Sequence, residues 1–144
     1  MALFERIRLF VRRIFRGAQP LSPPSQELGI RGEDEALRYL RAHGYRILER
    51  NFRQTGGEID LVAFKDGVIS FVEVRTRTEP VLLDPLLTVT PVKQRRLVQT
   101  AHRYIVSHRL DRQDVTFRFD VLTVRYAPGG KPAEVEHIED AFQP

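Results

Sequence analysis

Two carboxylates fall on facing strands of the stretch GGEIDLVAFKDGVISFVEVRTR, residues 56–77. Asp66-Gly67 is a dipeptide strongly favoured in two-residue type I′ turns, and apolar residues flank it on both sides. Counting outward from that turn, Lys65 faces Val68, Phe64 faces Ile69, Val62 faces Phe71, Asp60 faces Glu73 and Glu58 faces Arg75. Side chains directly opposite on antiparallel strands share a face, with Cβ atoms roughly 4.5–5.5 Å apart. The count therefore predicts two carboxylates meeting inside an apolar hairpin, with a guanidinium and a third carboxylate one step along. Opposed like charges destabilise a sheet, so something must hold them there. A divalent cation is one answer and a local Arg/Lys network is the other.

The elements around the hairpin must position this chemistry. Ile59, Leu61, Ala63, Val72 and Val74 are predicted on one face and Val62, Phe64, Ile69 and Phe71 on the other, the pattern of strands covered on both sides. Upstream, Ser25 to Gly44 reads as a helix with Ala36, Leu37 and Leu40 as its apolar stripe and Gly44 as its stop. Glu33 lies three, four and seven residues before those positions, so it shares their face. Gly29 and Gly32 weaken the helix but permit close backbone approach. Tyr45 to Arg53 reads as a strand and Thr55-Gly56-Gly57 as the turn that leads into Glu58–Phe64. Residues 77–90 carry two prolines and no regular period, so they read as a loop. Thr90-Pro91 then opens a helix to about Arg109, with Thr as N-cap and Pro at the first helical position. Its predicted stripe is Leu97, Ala101, Tyr104, Ile105 and His108, and Lys93 projects on that same side from the first turn. Val115 to Tyr126 is a long strand, with Phe117, Phe119 and Val121 on one face and Asp120, Leu122 and Val124 on the other. Glu134 to Ile138 adds a last short strand before an acidic tail.

Charge and composition narrow the partners. The chain's 144 residues fit one domain with a core of its own, and the absence of cysteine excludes disulfides and thiolate metal sites. That composition is expected of a cytoplasmic protein. The formal charge of +4 is all carried by residues 1–17, where Arg6, Arg8, Arg12, Arg13 and Arg16 stand against Glu5. Residues 18–144 are formally neutral, so a basic binding surface there requires asymmetric placement. In residues 1–17, Leu3, Phe4, Ile7, Phe10, Val11, Ile14 and Phe15 recur at helical spacing between the arginines. This basic amphipathic pattern suits peripheral membrane contact or docking on a protein, and equally a helix folded onto its own domain. The proline-rich stretch 18–26 reads as a linker, leaving 27–144 as the globular domain.

The expected order is αβββαβ, with Asp60 and the triplet Glu73-Val74-Arg75 on the central strands. In that order and in its D…ExK-like pattern, the chain resembles the α/β core of restriction-endonuclease-like (PD-(D/E)xK) nucleases, Holliday-junction resolvases among them. More closely, it resembles the YraN-like uncharacterised bacterial family. The pieces that carry this likeness are Gly32-Glu33, Gly44-Tyr45, Arg50-Asn51, GEIDLVA at 57–63, FVEVRTR at 71–77, Thr90-Pro91-Val92-Lys93, Arg118-Phe119-Asp120-Val121 and His137-Ile138-Glu139-Asp140-Ala141-Phe142. They occur in order over about residues 28–143.

The resemblance implies that Asp60 and Glu73 are ligands of Mg²⁺ or Mn²⁺, with Glu33 as the helix carboxylate and the Val74 carbonyl as a further donor. Oxygen ligands suit such hard cations, which lower the pKa of bound water and neutralise charge on a phosphate. The implied activity is metal-dependent endonucleolytic hydrolysis of DNA, including branched or structured DNA. This chain departs from the pattern at Arg75, where nucleases of this fold carry lysine. Arginine is always protonated and is no general base, yet its fork suits oxyanions; Lys93 is the candidate to supply the lysine from the neighbouring helix. Two alternatives stand beside this one. One is a buried ion network of Glu58, Asp60, Glu73 and Arg75 that fixes strand register. The other is a catalytically inactive nucleic-acid-binding or adaptor protein of the same fold.

Overall fold

The computed structural model describes residues 24–79, 84, 89–129 and 131–144. The amphipathic segment 1–17 and all but the last residues of the proline-rich stretch lie outside them. Helix α1 spans Pro24–Ala42, beginning one residue before the expected start and inside the stretch read as linker. It ends as its sequence directs. Gly44 takes φ +84, and the N–H groups of Gly44 and Tyr45 return to the carbonyls of Arg41 and Leu40 at 3.1 and 2.9 Å. That is the Schellman closure, which needs a left-handed residue after the helix.

Three strands follow: β1 (Arg46–Gln54), β2 (Gly57–Lys65) and β3 (Val68–Thr78). Helix α2 (Pro91–Ser107) then leads through a short 3₁₀ turn to β4 (Thr116–Tyr126) and β5 (Pro132–Phe142). The five strands form one mixed sheet in the order β1-β2-β3-β4-β5, antiparallel except for the parallel β3–β4 pair. A parallel pair needs a crossover connection, and α2 supplies it. This is an α/β fold with the αβββαβ core of the restriction-endonuclease-like type, extended by β5.

Each helix covers one face of the sheet. On the α1 face, Ala36, Leu37 and Leu40 pack with Leu61, Ala63, Val72, Leu122 and Val124. On the α2 face, Leu97, Ala101 and Tyr104 pack with Phe52, Ile59, Val62, Phe71, Phe119 and Val121. One expected face is corrected here: Ile59 belongs to the α2 side, opposite Leu61 and Ala63. Strict alternation puts residues 59, 61 and 63 on one face; the strand loses that phase at Asp60, as described below.

Two glycines set how closely the helices approach. A Cβ on Gly32 would stand 1.9 Å from the Thr76 hydroxyl, so α1 lies against β3 only because that atom is missing. On the other face, a Cβ on Gly57 would stand 2.2 Å from the Thr100 hydroxyl of α2. Gly29, expected to serve the same purpose, has nothing within 4 Å.

The last strand is twice corrected in extent, running through the segment read as an acidic tail to Phe142. A fully buried Asp120 on β4 secures it. Its Oδ1 accepts the Asp140 N–H at 3.0 Å and the Arg118 Nε–H at 2.8 Å, while His137 Nε2 lies 2.8 Å from Oδ2. Burial alone would raise this carboxyl's pKa, but His137, the Asp140 N–H and Arg118 together hold it below the usual value. No helix among the described residues is long and apolar enough to cross a membrane.

Candidate functional site

The hairpin forms in the expected register from Lys65↔Val68 to Leu61↔Val72, and both turn residues, Asp66 and Gly67, have the positive φ that a type I′ turn requires. One step further the ladder opens. Asp60 and Glu73 do not pair across it; the Asp60 Oδ2 instead accepts the Val74 N–H at 2.8 Å. A side-chain oxygen thus replaces a backbone acceptor, and β2 leaves β3 while staying with β1 through Phe52↔Ile59, Arg53↔Glu58 and Gln54↔Gly57. The expected Glu58–Arg75 ladder pair does not form either. Glu58 is exposed and pairs with Arg53 at 3.1 Å.

The neighbouring ladder also passes over this point. It steps from Arg50↔Leu61 to Phe52↔Ile59, and Asn51, which falls opposite Asp60, has φ +50. The left-handed residue turns the strand over. Arg50 reaches Asp34 of α1 at 2.7 Å, whereas Phe52 packs edge-on against Tyr104 of α2 with ring centroids 4.9 Å apart. The flip from Leu61 to Ile59 on β2 is its counterpart. Both strands change phase at Asn51 and Asp60, and the gap beside β3 opens there.

Around the gap the structure brings together most of the residues singled out from sequence. Glu73 projects from β3 on the α2 side with its side chain 3% exposed. Lys93 Nζ, from the first turn of α2, forms an ion pair with Glu73 Oε1, and Arg75 Nη1 lies 3.3 Å from the same oxygen. Thr90 caps α2 by accepting the Lys93 N–H at 3.3 Å, which fixes where Lys93 leaves the helix. Glu33 stands half-buried on α1, next to the Gly32 contact, and hydrogen-bonds the Asn51 side chain.

Electrostatics mark the pair of carboxylates as crowded. Burial and the neighbouring Glu73 charge push the Asp60 carboxyl up to about 8, with Glu33 adding to the rise; the Val74 N–H and Lys93 only partly offset it. Glu33 is raised chiefly by burial, with Glu58 and Asp34 reinforcing the rise and Asn51 and Arg50 opposing it. Lys93 and Arg75 both sit at Glu73, whereas Asp60 accepts the Val74 N–H and holds its proton against the Glu73 charge. Two hard oxygen donors in that condition fit a divalent cation, and these are the residues that would hold one. Among the described residues no three His, Asp or Glu side chains gather closely enough to form a metal-binding cluster.

Asn51 and Arg50 were visible in the sequence only as a dipeptide without a role. Asn is among the few non-glycine residues that tolerate positive φ, and an Asn within an otherwise alternating strand was the available signal. A cleft beside the site is lined by Arg53, Glu58, Lys93 and Arg96, a grouping that residue spacing does not reveal.

The family model described as "Uncharacterised protein family UPF0102" matches residues 32–124. A UPF0102 protein of Geobacter metallireducens is 42% identical over 123 residues, covering 85% of this chain and 98% of the relative. That of Trichlorobacter lovleyi is 45% identical over 119 residues, covering 82% of this chain and 91% of its own. A more distant one, from Clostridium perfringens, is 36% identical over 119 residues, 83% of this chain and 96% of its own. The matched region spans both strands of the opened hairpin, Glu33 and Lys93. The chain belongs to the UPF0102 family, the YraN-like family that its motifs resemble.

Proposed function

We propose that this protein is a metal-dependent DNA endonuclease that hydrolyses phosphodiester bonds, with branched or otherwise structured DNA as its substrate class. One observation carries the proposal: the central hairpin opens at Asp60, and two crowded carboxylates, a lysine and an arginine surround the gap. In a structural ion network each carboxylate would have its own cation, whereas Lys93 and Arg75 both pair with Glu73 and Asp60 accepts the Val74 N–H. Asp60 and Glu73 hold Mg²⁺ or Mn²⁺, which polarises the phosphate and lowers the pKa of bound water. Glu33, fixed through Asn51, adds to the negative field from the α1 side. Arg75 binds phosphate oxygens, a role that its permanent charge and planar fork suit. Lys93, which reaches Glu73 from α2, takes the role that the resemblance gives the triplet lysine and orients the attacking water.

The test is incubation of the full chain with junction, flap and single-stranded DNA plus Mg²⁺ or Mn²⁺, beside Asp60→Ala. Cutting by wild type alone is expected. Equal cutting by both proteins, or none by either, overturns the proposal. One observation favours a second possibility, a non-catalytic nucleic-acid-binding or adaptor protein: arginine, not lysine, follows Glu73-Val74. Arg75→Lys separates the two, since a degraded site gains cleavage by that change whereas an intact one is already active.

A further inference from the structure

Beside the opened hairpin runs a cleft of about 830 Å³, between the β1–β2 turn and the first turns of α2. Its walls are held close by the Gly57 contact with Thr100 and by a hydrogen bond from Arg103 to the Thr55 carbonyl. Arg53, Lys93 and Arg96 line it, with Glu58 the one carboxylate among the described lining residues, and that carboxylate is paired with Arg53. Residues 18–144 are neutral as a whole, so this local excess of positive charge is the asymmetric placement that binding of a polyanion requires. Lys93 belongs both to the cleft wall and to Glu73, so the cleft leads into the carboxylate gap.

Stiffness chooses the form of polyanion. A duplex is stiff over roughly 150 base pairs and lies across an open cleft between a turn and a helix, whereas a single strand bends into it. No aromatic ring is among the described lining residues, so bases find no stacking platform. Contacts to phosphate position a strand without reading its sequence.

We propose that this cleft is the seat of a single-stranded DNA segment, held by its phosphates on Arg53 and Arg96 and delivered past Lys93 to the Asp60–Glu73 gap. The inference rests on the nuclease proposal and refines its substrate class to DNA with a single-stranded arm, bound without sequence preference.

The test measures binding without metal, so that it is separate from cutting. Fluorescence anisotropy of the full chain is recorded in EDTA with labelled oligothymidylate, a blunt duplex, and the same duplex bearing a single-stranded tail. Tailed duplex and oligothymidylate are expected to bind at least tenfold more tightly than blunt duplex. The double variant Arg53→Gln/Arg96→Gln is expected to lose that preference. Its salt slope on the single strand should fall by about 1.4, two phosphate contacts at about 0.7 each. Equal affinity for blunt and tailed duplex, unchanged binding by the double variant, or no binding to any of the three overturns the inference, whatever the cleavage assay shows. Strand-selective binding with no cutting under Mg²⁺ or Mn²⁺ supports the cleft and overturns the nuclease proposal alone.

Discussion

At the scale of single residues, Asp60 keeps its proton to about pH 8, where an ordinary aspartate near 3.8 has long lost it. Burial and Glu73 are the main causes. The folded chain therefore binds one proton more than the unfolded chain between those values, and stability falls as pH rises through the window. Asp60→Asn keeps an oxygen for the Val74 N–H and carries no charge. In urea unfolding, the variant should gain on wild type steadily from about pH 4 to about pH 8, by on the order of 1 kcal/mol or more, and hold a constant lead above that. A pH-independent difference would show that Asp60 is ionised throughout. Lys93 makes a different prediction, because its ammonium occupies the Glu73 oxygen that a metal would use. Lys93→Met should bind Mn²⁺ about tenfold more tightly in calorimetry, since a charged hydrogen bond of roughly 1.5–3 kcal/mol no longer competes. Unchanged affinity would mean that Lys93 and the metal do not share Glu73. Asp60, Glu73 and Lys93 were legible in the sequence by type and spacing. The direct opposition of the two carboxylates was not, because counting from a turn assumes that the ladder continues and cannot show a side chain replacing a backbone acceptor.

Among the elements, the contact between α1 and β3 decides where Glu33 stands. Gly32→Ala puts a methyl group 1.9 Å from the Thr76 hydroxyl, so the helix must lift or the threonine must turn. A cost of about 1–3 kcal/mol in urea unfolding is expected for such overpacking. Thr76→Ala in the same chain should recover part of it, the Thr76 Cβ itself lying 3.0 Å away. Full stability of the single variant would mean that the helix does not bear on the strand there. The helices, four strands and the turn types were all readable from periodicity, caps and Asp66-Gly67. What escaped was the phase change at Asn51 and Asp60, which moved Ile59 to the α2 face. Period-two reasoning carries a strand's faces forward indefinitely, and only backbone geometry reports a left-handed residue inside it. The full length of β5 escaped for a related reason: Asp120 secures it through Asp140 and His137, contacts distant in sequence that polar composition disguised as a tail.

For the whole molecule, the mixed sheet places one helix on each face and the carboxylate gap where β2 parts from β3. The parallel β3–β4 pair needs a crossover, and the helix expected between those strands supplies it. Placement of the basic cleft was not readable, because residues far apart in sequence assemble it. Residues 1–17 hold the chain's entire net charge, and their amphipathic pattern suits an anionic surface. Deleting them should abolish co-sedimentation with vesicles rich in anionic lipid while leaving DNA cleavage by the domain intact; vesicle binding that survives the deletion would place the lipid contact elsewhere. The central claim concerns the gap itself. Isothermal titration of the full chain with Mn²⁺, beside Asp60→Ala, tests it most directly. Wild type should bind the ion with a defined heat and Asp60→Ala at least tenfold more weakly, whereas identical titrations, or no heat from either protein, would contradict a metal site built on Asp60 and Glu73.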